Sequence, residues 1–260
     1  MMRRVLIFAL VLLAVLWAFS QYLRRTSMFF PSREGNYDPR AYKVQPEDVW
    51  FTSADGVKLH GWLFRGRTDE MVIWFHGNGG NITDRGAIAA ELASRGVSVF
   101  VFDWRGYGKS GGTPNEHALF EDAIAAYDLF KKEAVLYGES LGGPYAAYVA
   151  KNRKAKAVII ENSFPSLAAM GNKLYGLGWL APRALRTTDW LNDANVPVLV
   201  MHGKRDQVIP FALGMRLYDG LKVQKQLLTS ETAGHCEIPA VEPERYYEAV
   251  MGMCRTSIGR

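Results

Sequence analysis

The sequence predicts an α/β fold in which a mostly parallel central sheet carries helices on both faces. Three observations support this prediction. From residue 71 onward, short apolar stretches alternate with longer stretches that suit helices. Two of the apolar stretches, 157–160 and 198–202, show no polar alternation, which is typical of strands buried on both sides. A glycine-rich loop follows the stretch at 71–76. Strands and helices in turn indicate βα units wound around one sheet.

The predicted elements follow one another with short connections. Two β-rich runs, 49–53 and 58–64, flank Asp55-Gly56, a strong hairpin signal, and should add antiparallel strands at one edge of the sheet. The remaining strands are predicted at 71–76, 97–103, 134–137, 157–160, 198–202 and 225–229. Helices are predicted at 87–94, 116–132 and 145–151.

The N-terminus carries an uncharged stretch at residues 5–23, bounded by Arg3-Arg4 and Arg24-Arg25. As a helix it would extend about 28 Å, close to the roughly 30 Å of a bilayer's hydrocarbon core. We therefore predict a single-pass signal anchor within residues 1–25, a juxtamembrane connector at 26–46 and the folded domain at 47–260. The strictly apolar part, 5–19, also suits a signal peptide cleaved near Ser20, which would leave a secreted or periplasmic domain. Arginines on both sides leave the orientation open.

Residues 163–195 interrupt the strand and helix rhythm. This stretch is rich in Leu, Trp, Gly and Ala, and its apolar content exceeds what a simple connection needs. We interpret it as a small cap above the functional site. Packing against the edge of the sheet would also account for its composition.

Composition narrows the classes of partner. The chain has 260 residues and a net charge of +5, but its basic residues are scattered and form no stripe with aromatic residues, so no nucleic-acid partner is expected. Its two cysteines, Cys236 and Cys254, form no CxxC pair and no zinc-like pattern with histidine. We predict no metal and no cofactor.

Two stretches match the G-x-S-x-G pattern, at 108–112 and 138–142. A nucleophile elbow needs a strand that runs straight into the serine and a helix that leaves it, so that the hydroxyl projects from a sharp turn. Ser140 fits, because the strand at 134–137 precedes it and Pro144 suits the first turn of a helix. Ser110 follows Asp103 in a glycine-rich loop, so we expect a structural role for it.

A serine hydroxyl needs a general base and a carboxylate that orients the base. In folds with a nucleophile elbow, these partners follow the serine in the order Asp or Glu, then His. Asp206 lies just beyond the strand at 198–202, and His235 is the histidine that follows it. Ser140, Asp206 and His235 are therefore the predicted catalytic triad. Three other aspartates are weaker candidates, two in the cap and one on a helix: Asp189, Asp193 and Asp219. His76 and His202 are expected to be structural.

A tetrahedral oxyanion also needs two N–H donors. The loop His76-Gly77-Asn78-Gly79-Gly80-Asn81 follows an early core strand, which is where such a donor is expected. We predict the backbone N–H groups of Asn78 and Leu141 as the oxyanion hole. A phosphate-binding loop is disfavoured, because the loop lacks both a Lys-Ser/Thr ending and the GxGxxG spacing.

The chain resembles the α/β-hydrolase superfamily and, within it, the Bem46-like hydrolases related to mammalian ABHD proteins. The resemblance runs from about Phe29 to the C-terminus and rests on several short motifs, which are Phe30-Pro31-Ser32, Asp55-Gly56-x-x-Leu59-x-Gly61-Trp62, His76-Gly77-Asn78-x-x-Asn81, Asp103-x-Arg105-Gly106-x-Gly108-x-Ser110, Gly138-Glu139-Ser140-Leu141-Gly142, Glu161-Asn162-Ser163-Phe164 and His202-Gly203-x-x-Asp206-x-x-Ile209-Pro210. It implies the α/β-hydrolase fold, the same triad and the same donors. Cys236, directly after the histidine, departs from the pattern.

The resemblance also implies esterase, lipase or acyl-thioesterase-like activity, and so a serine hydrolase that cleaves carboxylic ester or thioester bonds. The apolar cap and the membrane segment favour a small-molecule or lipid-like acyl substrate. Two alternatives stay open: a serine peptidase with the same triad, and a membrane-tethered binding protein that has lost activity.

Overall fold

The structure, a computed structural model, describes residues 29–176 and 185–255, together with residues 6–8, 11, 12 and 15. Eight strands form the central sheet, and two very short strands pair separately. Their bounds are β1 Phe30–Pro31, β2 Glu47–Thr52, β3 Lys58–Phe64, β4 Met71–Phe75, β5 Gly79–Gly80, β6 Ser98–Phe102, β7 Ala134–Glu139, β8 Ala155–Glu161, β9 Val198–Gly203 and β10 Lys225–Ser230.

The strand order in the central sheet is β10-β9-β8-β7-β4-β6-β3-β2. β2 and β3 are antiparallel, β3 is antiparallel to β6, and β6 runs parallel to the five remaining strands. The predicted hairpin is present at one edge, where the Gly56 N–H donates to Ser53 O and Gly56 has a φ of 87°. The mostly parallel sheet predicted from the sequence is confirmed.

Helices cover both faces of this sheet. Their bounds are α1 Gly86–Ser94, α2 Ala118–Asp128, α3 Gly142–Asn152, α4 Leu167–Tyr175, α5 Thr187–Ala194, α6 Phe211–Gly220, α7 Ile238–Val241 and α8 Pro243–Arg255. One buried cluster lies under α2 to α6 and includes Leu136 and Val200. The other lies under α1, α7 and α8 and includes Val135 and Leu199. Neighbouring residues of one strand therefore pack into opposite cores, as the alternation of side chains along a strand requires.

The predicted cap at 163–195 contains α4 and α5. α5 packs against α3 and therefore lies in the helical layer beside the sheet, which agrees with the alternative that this stretch packs on the sheet. Residues 177–184, which include much of the apolar part, lie outside the described residues.

The predicted anchor at 5–23 falls mostly outside the described residues. Its described positions, 6–8, 11, 12 and 15, are helical and exposed. Within the part of the chain that the structure describes, no helix combines the length and the apolar character needed to cross a bilayer. The described part of the connector packs on the domain, because Phe29 is buried in the core and Tyr42 packs edge-on against Trp62 and Phe64.

Candidate active site

Ser140 lies in a sharp turn between β7 and α3. Its φ is 51°, in the left-handed region that residues with a side chain seldom adopt. The turn is held on both sides, because the Ser140 N–H donates to Glu161 O at 2.8 Å and the Ser163 hydroxyl donates to Ser140 O at 2.7 Å. A Cβ at Gly142 would lie only 1.8 Å from Phe75 O, so glycine is what lets α3 begin against the end of β4. Such a strained, well-supported turn is the geometry of a nucleophile elbow.

The structure brings the three predicted triad residues together. Ser140 Oγ lies 3.0 Å from Nε2 of His235, and Nδ1 of His235 lies 2.8 Å from Oδ2 of Asp206. These residues are 95 and 29 positions apart in the chain. Because an ionised carboxylate can only accept a hydrogen bond, this network assigns the proton to Nδ1 and leaves Nε2 free to accept the serine proton.

Asp206 is the most heavily hydrogen-bonded member of this group. Its Oδ1 accepts from the backbone N–H groups of Val208 and Ile209, both at 2.8 Å. Its Oδ2 accepts from Asn162 Nδ2 at 2.6 Å in addition to His235. The side chain itself is fully buried.

Burial alone would raise the pKa of Asp206. Hydrogen bonds from His202, His235 and Asn162, together with the charge of His235 when it is protonated, outweigh that effect and hold the pKa of Asp206 well below its usual range. The carboxylate is therefore ionised at neutral pH and can both orient the His235 imidazole and stabilise it when protonated.

Two loops carry Asp206 and His235 to the carboxyl end of the sheet, and backbone hydrogen bonds join them. The Lys204 N–H donates to Ser230 O at 2.8 Å, and the Arg205 N–H donates to Ala233 O at 3.0 Å. The loop that carries the carboxylate is thus tied to the loop that carries the imidazole. Their side chains meet because the backbones that bear them are already in contact.

The predicted oxyanion donors lie on either side of Ser140. Leu141 caps the N-terminus of α3, and Asn78 lies in the loop after β4. That loop passes close to the elbow, since a Cβ at Gly77 would lie 3.3 Å from Ser140 Cβ. Neither the Asn78 N–H nor the Leu141 N–H donates a hydrogen bond to any residue that the structure describes. Both N–H groups therefore remain candidates for the predicted oxyanion hole.

Ser110, His76 and His202, for which the sequence predicts structural rather than catalytic roles, lie buried among other residues of the domain. The hydroxyl of Ser110 donates to Asp103 O at 2.7 Å and accepts from the His60 N–H at 2.9 Å. Burial, with a contribution from the Arg85 charge, lowers the pKa of His76 to about 4, so this imidazole is neutral. His202 is buried, and its Nε2 lies 2.9 Å from Ile209 O.

The carboxylate that pairs with His235 is Asp206 rather than any of the three weaker candidates. Asp189 pairs with Arg186 and Asp193 pairs with Lys151, both at the surface. Asp219 lies on α6.

Sequence reasoning identified the supporting polar residues only as part of a family motif and assigned them no role in the site. Glu161, Asn162 and Ser163 come directly after the apolar part of β8 and contact Ser140 or Asp206. The available signal was the one that identified Asp206, namely polar residues at the carboxyl end of a buried strand. A buried ion pair between Glu139 and Arg85 was missed as well, and it lies directly behind the elbow.

Comparison with known proteins agrees with this architecture. Residues 66–188 match the family model described as serine aminopeptidase, S33. In structure the chain is similar to the Pyrococcus furiosus esterase Pf2001, with a TM-score of 0.74 and 24% identity over 89% of this chain and 99% of that one. At this identity the likeness shows the α/β-hydrolase fold.

Two curated relatives share more sequence. The Escherichia coli K12 protein YfhR, described as uncharacterized, is 31% identical over 221 residues, which cover 77% of this chain and 78% of the relative. Protein bem46 of Schizosaccharomyces pombe is 30% identical over 222 residues, which cover 77% of this chain and 74% of the relative. With this similarity and this fold, the chain belongs to the Bem46-like family of α/β-hydrolases.

Proposed function

We propose that this protein is a serine hydrolase that cleaves carboxylic ester or thioester bonds through an acyl-enzyme. The observation that carries the proposal is the hydrogen-bonded chain from Ser140 Oγ through His235 to the buried Asp206, with distances of 3.0 and 2.8 Å. An activated serine in a hydrolase family is the simplest use of that geometry.

In the proposed reaction, His235 Nε2 takes the proton from Ser140 as Oγ attacks the substrate carbonyl. The Asn78 and Leu141 N–H groups donate to the oxyanion that forms. His235 then passes its proton to the leaving oxygen or sulfur, which departs and leaves the acyl group on Ser140. Water, deprotonated by His235, attacks the acyl carbon and releases the acid, and Ser140 regains its proton.

Hydrolysis of short p-nitrophenyl esters tests the proposal. We expect Ser140→Ala to lower kcat by at least about 10³-fold, because it removes the nucleophile. Ser110→Ala is the matched control, since it changes the serine of the second G-x-S-x-G stretch and should keep the activity. Labelling by a fluorophosphonate should follow the same pattern. A Ser140→Ala protein with wild-type activity would refute the assignment, and a wild-type protein that neither hydrolyses esters nor takes the label would favour a binding role.

Peptide hydrolysis is the second candidate function. The description of the matching family model, serine aminopeptidase, favours it. One solved structure similar in fold, with a TM-score of 0.65, is a Pyrococcus horikoshii acylaminoacyl peptidase. A panel of acyl esters of increasing chain length, run beside aminoacyl p-nitroanilides, separates the two. We expect the esters to be preferred, with longer acyl chains favoured by the apolar residues of 163–195.

We also propose that residues 5–23 anchor the protein in a membrane, which the uncharged stretch between two arginine pairs supports. The full chain should then stay in the membrane fraction after an alkaline carbonate wash. Leu12→Arg should release it, because an arginine near the centre of a spanning helix costs about 2.5–3.5 kcal/mol. Leu129→Arg, the same change at an exposed position of the domain, is the control. Equal extraction of all three proteins would count against the anchor.

A further inference from the structure

The chain segment that follows the predicted anchor is attached to the loop that carries Asn78. Phe29 is buried in the core, and β1, immediately after it, pairs in parallel with β5. The pairing sets Phe30 opposite Gly79 and Pro31 opposite Gly80. The connector therefore adds a strand to the loop, next to the proposed oxyanion donor.

Asn78 is held by this segment and by a tyrosine. Its side-chain oxygen accepts the Phe30 N–H at 3.1 Å and the Tyr107 hydroxyl at 3.1 Å, and its backbone oxygen accepts the same hydroxyl at 2.8 Å. Farther along the loop, Asn81 Nδ2 donates to Glu34 O at 2.6 Å. Hydrogen bonds therefore hold the residues on both sides of Gly79-Gly80.

This loop needs external support. Three of its six residues, 76–81, are glycines, which lose more conformational freedom on ordering than any other residue. The Asn78 N–H must point at the position of an oxyanion before the reaction begins, because catalysis depends on donors that are already in place. A displacement of about 1 Å in such a group can cost as much as about 10²-fold in rate.

We propose that the Phe30 N–H and the Tyr107 hydroxyl are positioning groups for the oxyanion donor at Asn78, so that the connector after the predicted anchor forms part of the active site. The inference rests on the proposed function, because it concerns the same hydrolytic site. Both groups act through Asn78, and neither needs to touch the substrate.

Two substitutions in the full-length protein remove these donors. Phe30→Pro removes the N–H while leaving an extended conformation accessible, and Tyr107→Phe removes only the hydroxyl. We expect each to lower kcat for a short ester about 10- to 100-fold, with KM unchanged. Affinity for a trifluoromethyl ketone, which forms a tetrahedral adduct with the serine, should fall by the same factor as kcat/KM. A general loss of packing would not produce that correspondence.

The controls match these changes. Phe30→Ala keeps the N–H and should lose less activity than Phe30→Pro. Tyr37→Phe removes a hydroxyl of the connector, which donates to Asp103 Oδ2 at 3.4 Å rather than to Asn78, and should keep the wild-type kcat. Should Phe30→Pro fail to fold by circular dichroism, Tyr107→Phe decides. Wild-type kcat and ketone affinity in Tyr107→Phe would overturn the inference, whereas a wild-type protein without esterase activity would overturn the proposed function instead.

Discussion

Three residues with side chains adopt left-handed backbone conformations around the site. They are Ser140, Asn162 and Cys236, with φ values of 51°, 45° and 57°. Each belongs to the hydrogen-bonded chain or adjoins it. Ser140 supplies the hydroxyl, Asn162 donates to Asp206, and Cys236 directly follows His235. Strain of this kind persists where surrounding contacts over-determine the backbone, and here the contacts between neighbouring loops do so.

Glu161 is a buried acid beside the site that the proposed reaction does not use. Its Oε2 accepts the Tyr137 hydroxyl at 2.6 Å, and its Oε1 has no hydrogen-bond partner among the described residues. Burial raises the pKa of Glu161 to about 8, and the nearby Glu139 and Asp206 charges act in the same direction. The carboxyl is therefore mostly protonated in the folded protein near pH 7, whereas it is ionised in the unfolded chain.

This difference predicts a pH-dependent stability. Between the ordinary pKa of 4.5 and the folded pKa of about 8, the folded state binds more protons, so the contribution of Glu161 to stability falls as pH rises. Glu161→Gln keeps an acceptor for Tyr137 and removes the titration. The unfolding free energy of the variant, relative to wild type, should therefore increase by about 3–5 kcal/mol from pH 4.5 to pH 9. Urea unfolding of both proteins across this range measures it, and a constant difference would contradict the prediction.

The site residues that the sequence predicted share one property. Ser140, Asp206 and His235 follow strands in a fixed order, and this order is a property of the chain alone. The roles of Asn162 and Glu161 depend on which loop lies opposite them after folding. The nearest sequence signal, polar residues at a strand end, indicated their neighbourhood but not their partners.

At the scale of elements, the ion pair between Arg85 and Glu139 joins the start of α1 to the end of β7. Arg85 Nε donates to Glu139 Oε2 at 3.0 Å, and Nη2 makes a second, shorter contact with Oε1. Trp74 Nε1 also donates to Oε2, at 3.1 Å. Burial would raise the pKa of Glu139, but the Arg85 charge outweighs it and lowers that pKa. Glu139 therefore stays ionised next to Ser140 because Arg85 is present.

Removing the arginine should leave a buried charge without compensation. We expect Arg85→Met to destabilise the protein by about 3–5 kcal/mol, and a second change, Glu139→Gln, to recover much of that loss. The matched control is Arg153→Met, which breaks an exposed pair with Asp128 and should cost no more than about 1 kcal/mol. Urea unfolding of the four proteins measures these values. Similar losses for Arg85→Met and Arg153→Met would contradict the assigned role of burial.

Strands and helices were predictable from the sequence where the pattern of neighbouring residues alone indicates them. The strand at Lys58–Phe64 matches its predicted bounds, and the apolar parallel strands differ by only a few residues. β1 and β5 were missed, because each has two residues and their pairing joins positions almost fifty residues apart. The helix α8 was missed although its buried residues, including Tyr246, Val250 and Cys254, recur at helical spacing.

At the scale of the whole molecule, the parallel strands β4, β7, β8, β9 and β10 all end on the same edge of the sheet. The predicted oxyanion loop, the proposed nucleophile Ser140, the carboxamide of Asn162, the carboxylate of Asp206 and the imidazole of His235 follow these strands, one group after each strand. The sequence predicted a mostly parallel sheet and hence this convergence. It did not predict the order of strands, because that order depends on how each crossover packs on the sheet. The convergence nevertheless needs only the common direction of the strands.

The proposed anchor is joined to the folded part of the connector by a very short segment. Only residues 24–28 lie between the apolar stretch and the buried Phe29, so an extended chain bridges at most about 20 Å. The mouth of the site should therefore stay close to the bilayer surface. Inserting a flexible Gly/Ser stretch of roughly 15 residues between Thr26 and Ser27 would increase the number of residues in this tether about fourfold.

In proteoliposomes, this insertion should lower hydrolysis of a long-chain ester embedded in the same vesicles by about five- to tenfold, because effective concentration falls with roughly the −3/2 power of tether length. Hydrolysis of a soluble short-chain ester should not change, since β1 and its contacts with Asn78 begin after the insertion. The ratio of the two rates is the measured quantity. Equal loss on both substrates would mean that the insertion disturbs the fold, and unchanged rates on both substrates would mean that the membrane does not present the substrate to this site.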